Sequence, residues 1–257
     1  MQVLLIQAPL VWENPNLNRD YFEGRINSIS GKVDLIVLPE MFSTAFTMNP
    51  SAVAETMHGE TVLWMQYLAK AKNSAITGSV VIEENGNYYN RMLFVFPLGE
   101  IQYYDKRHLF TLAGEEKVYT AGTQKLIVDY LGWKICPLVC YDLRFPVFSR
   151  NVEEYDLLIY VASWPKVRTT AWDALLKARA IENVSYVIGV NRTGEDASGH
   201  SYIGHSQVFD SLGEYVVEPQ ESEAMFKATL DKSKLTEIRK KFAFLSDKDT
   251  FEIKTKN

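Results

Sequence analysis

The N-terminal part of the chain carries the pattern that most restricts the fold. An apolar run, Val3–Ala8, predicts a buried strand that is closed by Pro9. Asn16–Ile29 places apolar side chains at near-helical spacing with Asn16 as a cap, and Val33–Leu38 is a second apolar strand. A strand, a helix and a strand in this order form a βαβ unit, which implies parallel pairing with a right-handed crossover. We therefore predict an α/β fold.

The remainder of the chain repeats this alternation. Thr169–Asn183 has apolar side chains at helical spacing, and Trp133–Val139 is typical of a strand buried on both faces. The other predicted strands are Ala75–Glu84, Tyr88–Pro97, Ile101–Tyr104, Lys125–Tyr130, Asp156–Ala162, Tyr186–Asn191, His205–Phe209, Tyr215–Val217 and Met225–Leu230. The other predicted helices are Glu60–Asn73 and a segment capped by Asp231 that runs to Lys241, and Gly194–Gly199 is predicted as a polar loop. Because no linker interrupts the chain, we expect one domain over residues 1–257, with a sheet-on-sheet core and helices outside.

Charge and hydropathy argue against two classes of protein. The net charge is −5 and no basic run is present, which argues against a nucleic-acid partner, because phosphate binding needs clustered Lys and Arg. The longest apolar runs are far shorter than the roughly 20 residues that span a bilayer, and the first residues lack the features of a signal peptide. No membrane partner is expected. The aromatic tail from about residue 242 to residue 257 is expected to pack at a subunit interface.

Cys140 stands where the strand Trp133–Val139 ends. Pro146 fits the first turn of a helix that continues to Val152, so the thiol is expected on a sharp strand-to-helix turn that faces solvent. Free backbone N–H groups there stabilise an oxyanion, and a helix N-terminus favours a thiolate. The alternative is that Cys140 is a small buried hydrophobe, which is how we interpret Cys136. Two cysteines without a His/Cys cluster predict no metal site and a reducing, cytoplasmic environment.

Two more reactive side chains follow predicted strands. Glu40 and Lys106 each stand at the C-terminal end of a strand, the edge where catalytic groups gather in α/β folds. Taken singly, either is better explained as a solvated loop residue. A carboxylate that takes a proton, an ammonium that stabilises negative charge and a thiol that attacks together form a set for covalent acyl transfer.

Three segments around these residues resemble the signature segments of the nitrilase superfamily, carbon–nitrogen hydrolases with a Glu-Lys-Cys triad. The segments are Leu38-Pro39-Glu40, Tyr104–Phe110 and Val139–Pro146. The resemblance implies a four-layer α-β-β-α sandwich, a homodimer or higher homo-oligomer, and no cofactor. It also implies that Glu40 is the general base, that Lys106 and the backbone N–H of Tyr141 hold the oxyanion, and that Cys140 is the nucleophile. Glu115 matches a second glutamate of the family best, although Glu116 is adjacent.

The segments near Ser163-Trp164-Pro165 are most similar to the ω-amidase branch, whose members hydrolyse the side-chain amides of 2-oxoglutaramate and 2-oxosuccinamate. Such a substrate needs a cation for its free carboxylate, and Arg168 or Arg144 can supply it through a bidentate fork. Arg144 lies in the turn behind the nucleophile, and we interpret it rather as a structural residue. We expect Phe42, Phe110 and Trp164, with Phe46 and Tyr141, to line a small aromatic pocket. These aromatic residues are equally compatible with ordinary core packing.

Three alternatives to this prediction stay open. A different aliphatic or carbamoyl amidase of the same superfamily would have the same triad. A non-catalytic binding protein on this fold is a second alternative. His108 lies two residues from Lys106 and is a rival base in a Cys-His dyad, although a structural hydrogen bond is the more ordinary role.

Overall fold

Two six-stranded sheets lie at the centre of the molecule in the computed structural model, which describes residues 1–254. The strands in chain order are β1 (Gln2–Gln7), β2 (Leu35–Val37), β3 (Ala75–Glu84), β4 (Asn87–Val95), β5 (Ile101–Asp105), β6 (Val128–Tyr130), β7 (Trp133–Val139), β8 (Leu157–Ala162), β9 (Tyr186–Asn191), β10 (Thr193–Glu195), β11 (Ser201–Ile203), β12 (Gln207–Phe209), β13 (Tyr215–Val217) and β14 (Ala224–Thr229). The α-helices are α1 (Pro15–Asn27), α2 (Pro50–Val53), α3 (Glu60–Lys72), α4 (Pro146–Ser149), α5 (Thr169–Asn183) and α6 (Lys232–Phe242).

Each sheet combines a parallel centre with antiparallel edges. The first sheet has the strand order β14-β1-β2-β3-β4-β5, and the second has the order β13-β12-β9-β8-β7-β6. Strands β1, β2 and β3 are parallel, as are β7, β8 and β9. The parallel pairing of β1 with β2 through α1 confirms the predicted βαβ unit. Glu40, Lys106 and Cys140 each follow a strand of these two sheets.

Alternation along β1 explains the layers. Val3 and Leu5 point into the core between the two sheets, whereas Leu4 and Ile6 point into a second core beneath α1 and α3. On the far side α5 packs against β9, and Leu235 of α6 joins the central core. The order helix, sheet, sheet, helix is the four-layer α-β-β-α sandwich that the sequence predicted.

Several local predictions differ from the structure. Helix α1 is capped by Asn14, whose side chain accepts a hydrogen bond from the N–H of Leu17 at 3.1 Å, and not by Asn16. The helix predicted from Pro146 to Val152 is a single turn that ends at Ser149. A separate 3-10 helix, Cys140–Arg144, precedes it because the residue before a proline is disfavoured in helical geometry. The predicted loop Gly194–Gly199 is mostly the tip of a hairpin formed by β10 and β11.

The C-terminal tail runs back along its own chain. After α6 a short 3-10 helix spans Phe244–Asp247, and Phe251 and Ile253 line a groove that Phe148 also lines. The expected position of this tail at a subunit interface stays a prediction, and its last three positions, 255–257, lie outside the described residues. Among residues 1–254, none of the helices combines the length and apolar character needed to cross a bilayer.

Candidate active site

A cavity of about 390 Å³ opens where strands of both sheets end. Glu40 follows β2, Lys106 follows β5 and Cys140 follows β7, and all three side chains line this cavity. The backbone N–H of Ser163, just beyond β8, donates to Oε2 of Glu40 at 2.8 Å. The structure therefore brings the three predicted residues together, with Glu40 and Lys106 from one sheet and Cys140 from the other.

Two glycines allow the turns that carry Glu40 and Lys106 to pack closely. A Cβ atom on Gly78 of β3 would lie 2.9 Å from the Cβ of Leu38, against the segment that leads to Glu40. A Cβ atom on Gly122 would lie 2.0 Å from the carbonyl oxygen of Asp105, and the Gly122 N–H donates to the carbonyl of Lys106 at 3.0 Å. A larger residue at either position would displace one of the two reactive side chains.

Lys106 lies between two buried carboxylates. Its Nζ is 2.9 Å from Oε1 of Glu40 and 2.8 Å from Oε2 of Glu115, and all three side chains are fully buried. Burial alone would lower the pKa of Lys106, but the negative charges of Glu115 and Glu40 outweigh it and raise that pKa above its usual value. Lys106 therefore remains an ammonium and can stabilise negative charge that develops beside it.

The structure distinguishes between the two adjacent glutamates. Glu115 contacts Lys106 and accepts a hydrogen bond from the N–H of Phe110 at 2.6 Å, whereas the side chain of Glu116 is exposed. Burial raises the pKa of Glu115, and the charge of Lys106 opposes this effect. Glu115, at the start of a 3-10 helix Glu115–Lys117, is therefore the glutamate that belongs to this cluster.

Cys140 sits on a strained turn. Its φ angle is +44°, in the left-handed region that residues other than glycine rarely adopt. Burial raises the pKa of its thiol, and the charge of Glu40 and a hydrogen bond to it raise it further, while Lys106 lowers it. The thiol was expected to face solvent, whereas it is half-buried beside Glu40. A second negative charge there is unfavourable, so this environment favours the protonated thiol over the thiolate.

Tyr141 follows Cys140 in the first turn of the 3-10 helix Cys140–Arg144. N–H groups in the first turn of a helix have no partner within that helix, so the Tyr141 N–H is available to an oxygen atom in the cavity. The side chain of Tyr141 lines the cavity and packs edge-on against Phe110 at a centroid distance of 5.1 Å. This placement is compatible with the predicted oxyanion role of the backbone.

Asp142 links the segment around Lys106 to the turn that carries Cys140. It is fully buried, and its Oδ2 accepts hydrogen bonds from the Tyr104 hydroxyl at 2.8 Å and the Val139 N–H at 3.0 Å. The Nδ1 atom of His108 is 2.7 Å from Oδ1, and the His108 ring stacks on Phe145 at 3.7 Å. His108 does not line the cavity, which favours the structural role over that of a rival base.

The predicted pocket residues divide into two groups. Phe110, Trp164 and Arg168 line the cavity. The prediction that Phe42 lines it is wrong, because the fully buried Phe42 ring packs in the core beneath α1 and α3. Phe46 lines the cavity, and its ring lies 5.2 Å from Nζ of Lys106.

Two arginines lie at the cavity. The guanidinium of Arg168 lies 5.2 Å from the centre of the Phe110 ring, and that of Arg144 lies 4.9 Å from the Trp164 ring. Within residues 1–254 neither takes part in an ion pair, whereas other arginines of the chain do. Arginines held over aromatic faces without a carboxylate partner suit the recognition of an anionic ligand.

Sequence reasoning missed two parts of the site. Asn90 of β4 donates from Nδ2 to Oε1 of Glu40 at 2.8 Å and to Oε1 of Glu115 at 3.3 Å. The hairpin of β10 and β11 brings Asp196, Ser198, His200 and Tyr202 to the cavity. A polar residue inside an apolar strand was the available signal for Asn90, whereas no local pattern marked the hairpin. In the described part of the chain, no group of His, Cys, Asp and Glu is arranged to hold a metal ion.

Comparison with known proteins gives a consistent picture. A model of the carbon-nitrogen hydrolase family matches residues 5–240. The chain is 44% identical over 254 residues to the omega-amidase YafV of Escherichia coli strain K12, covering 98% of each protein. It is 30% identical over 247 residues to the 2-oxoglutaramate amidase of Bacillus subtilis strain 168, covering 94% of this chain and 95% of the relative.

A solved structure is similar throughout. XC1258 from Xanthomonas campestris, a CN-hydrolase superfamily protein with an arsenic adduct in the active site, superposes with a TM-score of 0.97. It is 42% identical in sequence, and the match covers 99% of each chain. The four-layer sandwich is therefore shared with a solved member of this superfamily.

Proposed function

Because the chain belongs to the carbon–nitrogen hydrolase family, we propose that it hydrolyses the ω-amide of small 2-oxo dicarboxylic acids, such as 2-oxoglutaramate and 2-oxosuccinamate, and releases ammonia. It is a hydrolase of carbon–nitrogen bonds other than peptide bonds. The observation that carries the substrate proposal is the pair of arginines, Arg144 and Arg168, which line the same cavity as Cys140 and have no carboxylate partner within the described residues. A substrate with an amide at one end and a carboxylate at the other fits this arrangement.

The reaction begins with the transfer of the Cys140 proton. As the sulfur atom adds to the amide carbon, the proton moves from Sγ to the carboxylate of Glu40, so no free thiolate has to form beside that carboxylate. The carbonyl π electrons move to the oxygen, and Lys106 with the N–H of Tyr141 stabilises the negative charge there. This step explains why a protonated resting thiol is compatible with nucleophilic attack.

The tetrahedral intermediate then collapses to a thioester. The C–N bond breaks, the nitrogen takes the proton held by Glu40, and ammonia leaves. Glu40 next removes a proton from a water molecule as its oxygen adds to the thioester carbon. The C–S bond breaks, the proton returns to the sulfur atom, and the carboxylic acid product leaves. The sequence consumes one water molecule and needs no cofactor.

A homodimer or larger assembly in the cytoplasm is part of the proposal. Ile181 of α5 and Leu212 and Tyr215 near β13 expose apolar surface on one side of the molecule, which supports a homo-oligomer. Both cysteines are free, which supports a reducing compartment. Light scattering of the purified protein coupled to size exclusion tests the first point, and a monomer at micromolar concentration would contradict it.

Ammonia release tests the activity. The purified protein is offered 2-oxoglutaramate, 2-oxosuccinamate, glutamine, asparagine, a neutral aliphatic amide and a nitrile. We expect kcat/KM of about 10⁴ M⁻¹s⁻¹ or more for the two 2-oxo amides. Cys140→Ala should abolish turnover, and Cys136→Ala, which changes a fully buried cysteine outside the cavity, is the matched control. Turnover by Cys140→Ala would contradict the mechanism.

Arg168→Ala tests the substrate class. We expect KM for 2-oxoglutaramate to rise at least tenfold, since a charge-assisted hydrogen bond is worth about 1.5–3 kcal/mol. The KM for the neutral amide should change little, because that substrate has no carboxylate. Turnover of the neutral amide alone would keep the chemistry and refute the 2-oxo dicarboxylate class.

A further inference from the structure

Asn90 lies at the centre of the charged cluster although it carries no charge. It is 1% exposed, and its Nδ2 donates to one oxygen of each carboxylate, Oε1 of Glu40 and Oε1 of Glu115. Its backbone carbonyl accepts a hydrogen bond from the N–H of Lys106 at 3.0 Å. A single residue of β4 thus contacts the three buried members of the candidate machinery.

The hydrogen bonds of Glu40 leave little room for a further donor. A carboxylate offers about four lone-pair sites, two on each oxygen. Oε1 accepts from Nζ of Lys106 at 2.9 Å and from Nδ2 of Asn90 at 2.8 Å. Oε2 accepts from the N–H of Ser163 at 2.8 Å. One site on Oε2 therefore remains for a proton from the thiol of Cys140.

We propose that Asn90 is a positioning residue for the reaction: with Lys106 it occupies Oε1 of Glu40 and so directs the Cys140 proton to Oε2. The inference rests on the proposed function, in which Glu40 is the general base. The proton leaves Sγ as the carbon–sulfur bond forms, sits on Oε2 of Glu40, and passes to the departing nitrogen as the carbon–nitrogen bond breaks. Rotation of the carboxylate, which would misalign Oε2, is resisted by the two donors on Oε1.

The same contacts also bear on the pH dependence of the reaction. A donated hydrogen bond favours the ionised carboxylate, and so does the charge of Lys106 from the end of β5. Glu115, the thiol of Cys140 and the phenol of Tyr119 also lie near Glu40. Removing the Asn90 donor should therefore move the acidic limb of the kcat/KM profile to higher pH.

Asn90→Asp tests the inference with almost no change in volume. The new carboxyl either repels Glu40 or retains a proton and donates only one hydrogen bond where Asn90 donates two. We expect the acidic limb of the kcat/KM profile to move up by about one pH unit or more, with at least a tenfold loss on that limb. The KM should change less than twofold, because Asn90 does not line the cavity. Asn87→Asp, at an exposed position of the same strand, is the matched control.

A second measurement needs no substrate. The rate at which methyl methanethiosulfonate modifies Cys140, followed by intact mass across pH, should show the same upward shift in Asn90→Asp. If the wild-type protein hydrolyses none of the amides, the proposed function fails while this profile still tests Asn90. A limb that stays in place in both measurements, or a change in KM alone, would overturn the inference.

Folding of the variants is measured alongside. Asn90→Ala removes both donors without adding a carboxyl and should move the limb in the same direction, so it replaces Asn90→Asp if that variant does not fold. A uniform loss of kcat at every pH would mark a merely structural role and refute the proposal. Failure of both variants to fold would also refute it, because Asn90 would then determine the fold.

Discussion

Glu115→Gln should lower both the stability and the activity of the protein, whereas the same change at the adjacent Glu116 should affect neither. The Glu115 carboxylate is fully buried and accepts from Nζ of Lys106 at 2.8 and 3.1 Å, from the N–H of Phe110 at 2.6 Å and from Nδ2 of Asn90 at 3.3 Å. A glutamine places an NH₂ group where one carboxylate oxygen accepted these bonds. Whichever way the amide is turned, one donor then faces another donor.

The expected cost follows from these contacts. Breaking a buried ion pair on one side costs about 3–5 kcal/mol, and Lys106 keeps Glu40 as a second partner, so the lower end, about 3 kcal/mol, applies. For a chain of this size each kcal/mol shifts Tm by roughly 2–4 °C, which gives a decrease of roughly 6–12 °C. Glu116→Gln changes an exposed side chain and should alter stability by less than about 0.5 kcal/mol.

Thermal unfolding and steady-state kinetics of the two variants measure the difference. We expect Glu115→Gln to lose at least tenfold in kcat as well, because Lys106 is then held from one side only, while Glu116→Gln keeps wild-type kcat. Equal Tm values and equal kcat values in the two variants would refute the assignment of Glu115 to the cluster.

Three further changes test other parts of the structure. Glu40→Gln removes the charge that, after burial, most raises the pKa of the Cys140 thiol, so this pKa should fall while turnover is lost. The ultraviolet absorbance of the thiolate across pH measures the pKa. An unchanged titration would contradict the effect of the Glu40 charge on the thiol. Phe42→Ala should lower the free energy of unfolding, measured in urea, by about 3–5 kcal/mol and leave KM within twofold of wild type. A raised KM without lost stability would contradict the placement of Phe42 in the core. Burial would raise the pKa of Asp210, but Lys234 and two backbone N–H groups lower it overall, so its contribution to stability is present above about pH 4 and lost as the pH falls through its lower folded value. Asp210→Asn should therefore lower the unfolding free energy at pH 7 and flatten its acid dependence, and an unchanged dependence would contradict this role.

The elements that the sequence predicted best have a strong local pattern. Thr169–Asn183 and Trp133–Val139 have the predicted bounds, because the first has helical spacing over fifteen residues and the second is a short, mostly apolar run with β-branched and aromatic members. The turn after Cys140 was less well predicted, since Pro146 signals a helix start but also ends the preceding 3-10 helix at Arg144. One proline can thus indicate either the start or the end of a helix, and tertiary packing determines which of the two occurs.

The site residues that could be predicted are reactive side chains that directly follow a predicted strand. Glu40, Lys106 and Cys140 follow strands, and the order of their segments along the chain led to the family. Phe42 was misplaced because proximity to Glu40 in sequence does not give the direction of its side chain. Asn90 was missed because its role depends on contacts between residues far apart in sequence. Its carbonyl accepts from the N–H of Lys106, sixteen positions later, and its side chain donates to Glu40, which follows β2.

The placement of β14 beside β1 has a consequence for biosynthesis. Gln2 pairs with Thr229, so during synthesis β1 has no partner on this side until the much later segment β14 has been made. Until then β1 presents unpaired backbone groups, which are a template for association with other chains. We therefore expect the nascent protein to need protection by a chaperone until β14 has paired with β1.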